Sequence, residues 1–566
     1  MSRRNNACAS VPAIEPIDSR CLLDAGPAVI GDLIGADARS LMYYDTDGTQ
    51  VTVRLRNGLA TVNWVDPNAQ WTLAGGVAVV GSQAAPAEID VIELFQTTIK
   101  SELTIRTKVP RSSDADSLAT VRGIRGADEL TAMGKIIAPK VVLSGYDDAG
   151  QNVAIDIGGG VRSVSIHSCA AALLELGGTV ASTLSFQAAG SVESPALIFA
   201  GTVTRLAAGT WTGQTIQAGA FGRIVISGCR VDGAFVSGLS AALEATVGSI
   251  GSITVTGGDL AGEVTAHGKV GSIKLTGKAI TTNGDEGKTT EMFSADLTAP
   301  ITAGELEGVS IGKIQIVGGA MGPSGPLVIR TAGSVGPMSS RGMNYRTYEQ
   351  DEEGHSRAHT AYCESGMNLD LLADTGDIGS ITVTGGSFAG TIEGEGTVAG
   401  VTTKAVRGGW GSDATYVGGT MDATITAARV KKLAATGGDL TASLTAPLIG
   451  TIHCNALKRN ARLLRTVEEG EVSYDVTEGE VFGGNINLTL QMLGEAAELG
   501  AVTAFGGSLT AEGQVSFDPA TARLVSKPMR YICSYEDAGD EDHPRMAAVY
   551  ETVGGPDAVT NNLTQA

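Results

Sequence analysis

His355, His359 and Cys363 stand four residues apart, with Asp351, Glu352 and Glu353 just upstream. On a helix that spacing would put imidazole and thiolate ligands on one face, a donor set for zinc or copper. Gly354 and Gly366 bracket the segment and no fourth fixed ligand accompanies it, so these residues are weak metal candidates. A solvated loop accounts for them more simply. Asp45-Thr46-Asp47-Gly48 opens like a calcium loop but lacks the bidentate acid that such a loop needs at its twelfth position. It is expected to be a hairpin turn instead.

Asp259 and Asp439 each follow a Gly-Gly pair, and Ser387 stands at the equivalent position between them. Stacked aspartates on a β-helix could hold calcium or work as an acid/base pair, but each needs a neighbouring carboxylate that the sequence does not place there. The expectation is that they bond turn backbone. Thr254, Thr256, Thr382 and Thr384 suggest an ice-binding lattice, which Lys274, Gln315, Val225, Ala434 and Ala435 interrupt at equivalent positions. No Ser/His/Asp order, phosphate-binding loop or HExxH pair occurs. No catalytic residue and no cofactor is therefore assigned, and calcium is expected only adventitiously.

These residues belong to a repeat. Its best copies are Ile250-Gly-Ser-Ile-Thr-Val-Thr-Gly-Gly258 and Ile378-Gly-Ser-Ile-Thr-Val-Thr-Gly-Gly386, with looser ones at Val161, Phe221, Val270, Ile311, Val430, Ile449 and Leu499. Copies about 20 residues apart, or at longer intervals, are the signature of a solenoid. Ile253 and Val255 are expected to point inward and Thr254 and Thr256 outward. Gly257-Gly258, Gly385-Gly386 and Gly437-Gly438 are the corner positions, followed by Asp259 or Asp439 and a second short strand. One coil cannot bury its apolar face alone, whereas a stack of coils can.

The predicted fold class is all-β: an elongated right-handed parallel β-helix or solenoid over residues 113–510, preceded by a small antiparallel β domain at 29–112. Alternation in Val51–Leu55, Ala60–Trp64 and Leu103–Ile105 carries the latter. Residues 1–28 read as a leader and 511–566 as a C-terminal cap with an acidic tail. Stretches near 281–290, 339–366 and 457–479 break the repeat and are expected to be side loops, where binding surfaces commonly lie. Weak helical patterns occur only at Ala170–Leu176 and Asn487–Leu499.

Glycine at 77 of 566 residues and aromatics at 4% suit a narrow core with tight corners. A net charge of -21 argues against nucleic acid as a partner. Cys8, Cys21, Cys169, Cys229, Cys363, Cys454 and Cys533 lie far apart, which fits buried or free thiols rather than a disulfide framework. No apolar run is long enough for a transmembrane helix.

The segment Ile14-Glu-Pro-Ile-Asp-Ser-Arg20-Cys-Leu22-Leu23 resembles the Leu-Glu-Pro-Arg-x-Leu-Leu leader motif of planctomycete exported and surface proteins. Glu15, Pro16, Arg20, Leu22 and Leu23 carry the match; Ile14 replaces the leading Leu, and Ile17-Asp-Ser separates Pro from Arg. The resemblance implies export to the bacterial cell surface or the extracellular space. The expected function is thus a non-enzymatic structural or adhesive protein, a spacer presenting side loops to cell-envelope or matrix components. Polysaccharide and self-association are the partner classes considered. The alternatives are a carbohydrate-active β-helix enzyme, such as a lyase or hydrolase, and a self-assembling fibre or coat subunit.

Overall fold

The computed structural model describes residues 24–25, 27–82, 85–109, 116–193, 195–284, 287–304, 311–350, 356–408, 415–468, 471–537 and 546–566. Residues Glu15, Pro16, Arg20, Leu22 and Leu23 of the leader motif, and His355, lie outside them. The chain is nearly all β, and the described residues contain no α-helix. Both weak helical patterns fold as strand or turn. Ile486–Met492 is a strand whose Ile486, Leu488, Leu490 and Met492 are all buried, so the two-residue period overrides helix propensity.

Strands Ala28–Gly31, Ser40–Tyr44, Gln50–Arg56 and Leu59–Trp64 begin a largely antiparallel N-terminal unit. Its last two strands, Ile89–Phe95 and Glu102–Lys108, then pair in parallel with Ala119–Gly126 and Met133–Leu143. Asp45, in the turn between Ser40–Tyr44 and Gln50–Arg56, secures this junction. Its carboxylate accepts from Thr46 N and from Thr120 N, each at 2.8 Å. Burial pushes the Asp45 carboxyl pKa up, and the two N–H bonds pull it back. The residues that suggested a calcium loop therefore tie the N-terminal unit to the first parallel strand.

Beyond this point, hairpins such as Tyr146–Asp148 with Gln151–Asp156 aside, the strands pair in parallel with their equivalents one repeat later. Ile250–Thr256 lies between Ile216–Ile226 and Val270–Thr276, which in turn pairs with Ile311–Val317. This first ladder continues through Met338–Arg341, Ile378–Thr384, Thr397–Lys404, Arg429–Thr436 and Leu448–Asn455 to Val502–Phe505 and Leu524–Lys527. A second ladder holds Leu243–Ala245, Val264–Ala266, Ile301–Ala303 and Leu327–Thr331, and runs on to Leu509–Val515 and Val559–Gln565. A third, narrower one links Leu239, Leu260, Leu297 and Met321. The chain visits the first, third and second ladders in turn and then starts again. Near the N-terminal unit, seven parallel strands close a ring because Ala119–Gly126 and Ala196–Ala208 each take part in more than one ladder. The ladders extend beyond residue 510: the segment expected to be cap and tail supplies most of Leu509–Val515 and two further ladder strands, Leu524–Lys527 and Val559–Gln565.

The interior is one hydrophobic cluster running the length of the ladders. Ile224, Ile253, Ile273, Ile314, Met338 and Ile381 stack in register, each 1% exposed or less. Aliphatic side chains in such columns meet their equivalents in the next repeat, which removes both from water without large side chains. The glycines do two jobs at the corners. Gly257 has φ +70°, a conformation that a Cβ disfavours. At Gly258 a Cβ would run into the Ser237 backbone of the preceding coil. The glycine early in the repeat is a third kind, since a Cβ on Gly312 would collide with the Gly271 carbonyl oxygen.

Candidate interaction surface

The corner aspartates are structural links between successive coils. Asp259 Oδ1 accepts from Asp296 N at 2.8 Å, and Asp296 Oδ1 accepts from Ala320 N at 2.7 Å. Asp439 Oδ1 likewise accepts from Asn485 N at 3.0 Å, and Asn485 Oδ1 from Ser508 N at 2.9 Å. Burial raises the Asp259 carboxyl pKa, the Asp296 N–H lowers it, and the Asp296 charge raises it. These carboxylates are engaged with backbone of the next coil rather than aimed together at a substrate.

His359 and Cys363 do not share a helix. They lie on Ser356–Cys363, paired antiparallel with Met343–Gln350. Four residues along a strand separate them by about 13 Å. His359 Nε2 lies 3.5 Å from Glu349 Oε2 instead, and burial raises the Cys363 thiol pKa. Among the described residues no group of three His, Cys, Asp or Glu side chains is placed to hold a metal.

The stretches that break the repeat are antiparallel hairpins, and all leave from the same corner, where the first ladder gives way to the third. The three anticipated ones are Lys278–Phe293, Met343–Cys363 and Leu457–Phe482. Three more are Cys229–Val236, Val406–Val417 and Met529–Val553. The signal the sequence offered for these is the clustering of aromatics. From Cys229 onward only Phe388, Phe505 and Phe517 lie outside the six hairpins.

Their order is regular. Between successive hairpins stands one coil that turns the same corner with Gly257-Gly258, Gly318-Gly319, Gly385-Gly386, Gly437-Gly438 or Gly506-Gly507. Hairpins therefore sit on every second coil, about 9.6 Å apart at a coil rise of about 4.8 Å, close to the roughly 10 Å at which sheet faces pack. Their side chains fill that space. Phe235 and Phe293 meet edge-to-face at 4.9 Å, and Lys278 Nζ lies 4.5 Å from the Phe235 ring centre. Tyr416 and Phe482 meet at 5.1 Å. The last two hairpins also share backbone bonds, Ala461 N to Ile532 O and Gly479 N to Cys533 O, both 2.8 Å.

The glycine corners form the floor beneath the hairpins. A Cβ at Gly257 would meet Lys278 and Phe235, one at Gly318 would meet Met292 and Met343, and one at Gly506 would meet Ala456 and Met529. Tyr362, from the hairpin beside Gly385, donates to the Gly385 carbonyl at 3.4 Å, and burial pushes its hydroxyl pKa up to about 12. The result is a crest of six hairpins with notches between them. One notch is lined by Phe235, Phe293, Met292, Ser237 and Gly258. Another is lined by Tyr416, Val417, Glu364, Ser365 and Gly386. The notches thus set aromatic and methionine side chains over a floor of largely buried glycines.

In the later coils the core follows the same alternation, whereas the first two hairpin coils keep Ile226 and Leu275 at the equivalent inward position. Ser340, Cys454 and Ser526 occupy, in coils that carry hairpins, the inward position that Val255, Ile316 and Val383 fill in coils that turn with Gly-Gly. They donate to the carbonyls of Gly319, Gly438 and Gly507 in the preceding corner, at 3.1, 3.1 and 2.7 Å. Each such bond gives a partner to a buried corner carbonyl.

No family model, curated protein or solved structure matches the chain.

Proposed function

We propose that this is a non-enzymatic, exported structural or adhesive protein of the bacterial cell surface. Its coils stack as a right-handed parallel β-solenoid of roughly fifteen turns, a stiff spacer about 70 Å long at about 4.8 Å per coil. Its hairpin crest makes the contacts. The single observation that carries this reading is the strict alternation of hairpin and Gly-Gly corners, which lines the hairpins up along one edge and sets ring pairs, Phe235 with Phe293 and Tyr416 with Phe482, between neighbours. Support for export comes from the leader resemblance at Glu15, Pro16, Arg20, Leu22 and Leu23. The carbohydrate-active alternative is disfavoured because its best acids, Asp259 and Asp439, hold backbone N–H groups of the next coil.

Protease shaving of intact source cells tests the assignment. Peptides from the Met343–Cys363 and Met529–Val553 hairpins should be released into the supernatant before the cells lyse. Recovery of the intact chain solely from the cytosol would overturn it.

A further inference from the structure

The first ladder separates charge in a way that the chain's overall acidity conceals. Outward positions on successive coils fall into columns fixed by the strand register. One column runs Ile137, Ser165, Gln187, Ala207, Val225, Thr254, continues through Lys274, Gln315, Ser339, Thr382, Thr402, Ala434, and ends at His453, Thr503 and Val525. The column two residues before it contains Lys135, Arg205, Arg223, Lys313 and Lys432. The column two residues after it contains Arg341, Lys404 and Lys527. No Asp or Glu occupies a paired position in these columns from Lys135 to Lys527. Every one of these lysines and arginines is exposed, and none forms an ion pair among the described residues.

The second ladder is the opposite. Glu175, Asp370, Glu393, Asp422 and Glu512 stand exposed on its strands, with Arg330 as an exposed cation among them. A chain of net charge -21 thus keeps one face whose three central columns carry no acid between Lys135 and Lys527, with Glu102 and Glu498 at its borders.

We infer that this first-ladder face binds an extended acidic polysaccharide lying along the stack of coils. Three features select that partner. A polymer running along the stack crosses one coil about every 4.8 Å, so the cations recur at intervals of roughly 5–20 Å. That is far sparser than duplex nucleic acid, with one charge per about 1.7 Å, and fits a chain carrying one carboxylate per sugar ring. Ser252, Thr254, Ser272, Gln315, Ser339 and Thr382, among the positions between the cations, can donate to and accept from sugar hydroxyls, while Ile137, Ala207, Val225 and Val525 offer apolar contact to ring faces. The acids elsewhere repel polyanions from other orientations and so confine binding to this face. The inference goes beyond the contacts assigned to the crest and stands on a separate surface.

Affinity electrophoresis and calorimetry of the full chain with polygalacturonate test it, with dextran, duplex DNA and anionic phospholipid vesicles in parallel. Binding to polygalacturonate alone, weakened by added salt, is the expected result. The triple variant Lys313→Glu, Lys404→Glu, Lys432→Glu should bind about tenfold more weakly or worse, since three exposed ionic contacts are reversed. Arg330→Glu, one charge reversal on the second ladder, should bind like the parent, whereas Lys313→Glu, the same change of two charge units on the first ladder, should bind more weakly, which separates a local contact from the effect of net charge. Circular dichroism of each variant verifies folding; all four substituted side chains are exposed on strands. Equal retention by dextran, preference for DNA or vesicles, or an unchanged triple variant would overturn the inference. So would salt-sensitive association of the protein with itself in the absence of polygalacturonate retention, because basic and acidic faces of two copies would then satisfy each other. Failure here leaves the protease-shaving result untouched, since that experiment reads location rather than ligand.

Discussion

A single methyl group probes how closely the coils stack. Gly312 faces the Gly271 carbonyl oxygen across the first ladder, whereas a Cβ on Gly325 meets nothing within 4 Å. Gly312→Ala should lower stability by about 2–3 kcal/mol through backbone overpacking, while Gly325→Ala should change it by less than about 1 kcal/mol. Chemical denaturation of the two variants side by side measures the difference, and equal midpoints would contradict the stacking described. Thiols give a second residue-scale test. Burial pushes both Cys169 and Cys454 up to about 12, so they remain protonated thiols at pH 8. A thiol reagent at that pH should leave these two unmodified in the native protein and label them after denaturation, as read by peptide mass. The sequence made the apolar positions and corner glycines legible because alternation and Gly-Gly recur. It left the role of Asp259 and Asp439 half-visible: a backbone bond was expected, but its partner lies one coil on, at Asp296 and Asn485, far along the chain.

The two-coil period governs the elements. Removing residues 378–397 joins Asp377 to Val398, a position equivalent to Ile378, and deletes only the coil that turns at Gly385-Gly386. The hairpins Met343–Cys363 and Val406–Val417 would then leave adjacent coils about 4.8 Å apart, half the distance that packed sheet faces need. Removing residues 378–429 instead joins Asp377 to Val430, again equivalent, and deletes one Gly-Gly coil together with one hairpin coil. The longer deletion should fold cooperatively with a melting temperature near that of the parent, and the shorter one should be severely destabilised. Calorimetry decides, and the opposite order would refute the alternation as a packing requirement. Lys278–Phe293, Met343–Cys363 and Leu457–Phe482 were legible as polar interruptions of the repeat. The other three were not, because Cys229–Val236 is short, Val406–Val417 is glycine-rich like the array, and Met529–Val553 lies where the repeat had faded. The helical spacing of His355, His359 and Cys363 misled for a related reason: cross-strand pairing with Met343–Gln350, not local periodicity, sets that segment's conformation.

At the scale of the whole molecule, the stack turns scattered sequence into continuous surfaces. Lys135 and Lys527 are nearly 400 residues apart, yet they lie on one face because every coil returns to the same ladder. Composition alone showed an acidic chain of net charge -21. The register shows instead a basic first ladder and an acidic second one, a separation invisible without knowing which residues stack. The repeat was legible because its period is short; the faces were not, because insertions of unequal length shift the spacing between equivalent positions. All of these conclusions depend on parallel stacking in one register, and engineered cross-links measure it directly. Thr382 and Thr402 are ladder neighbours facing outward, and Ala434 lies one coil further on. Cysteines placed at 382 and 402 should form a disulfide under mild oxidation, since neighbouring strands are about 4.8 Å apart and a disulfide spans up to about 7 Å between Cα atoms. Cysteines at 382 and 434, about 9.6 Å apart, should not. Efficient cross-linking of the second pair, or failure of the first, would contradict the stacked array on which the crest and the basic face are built.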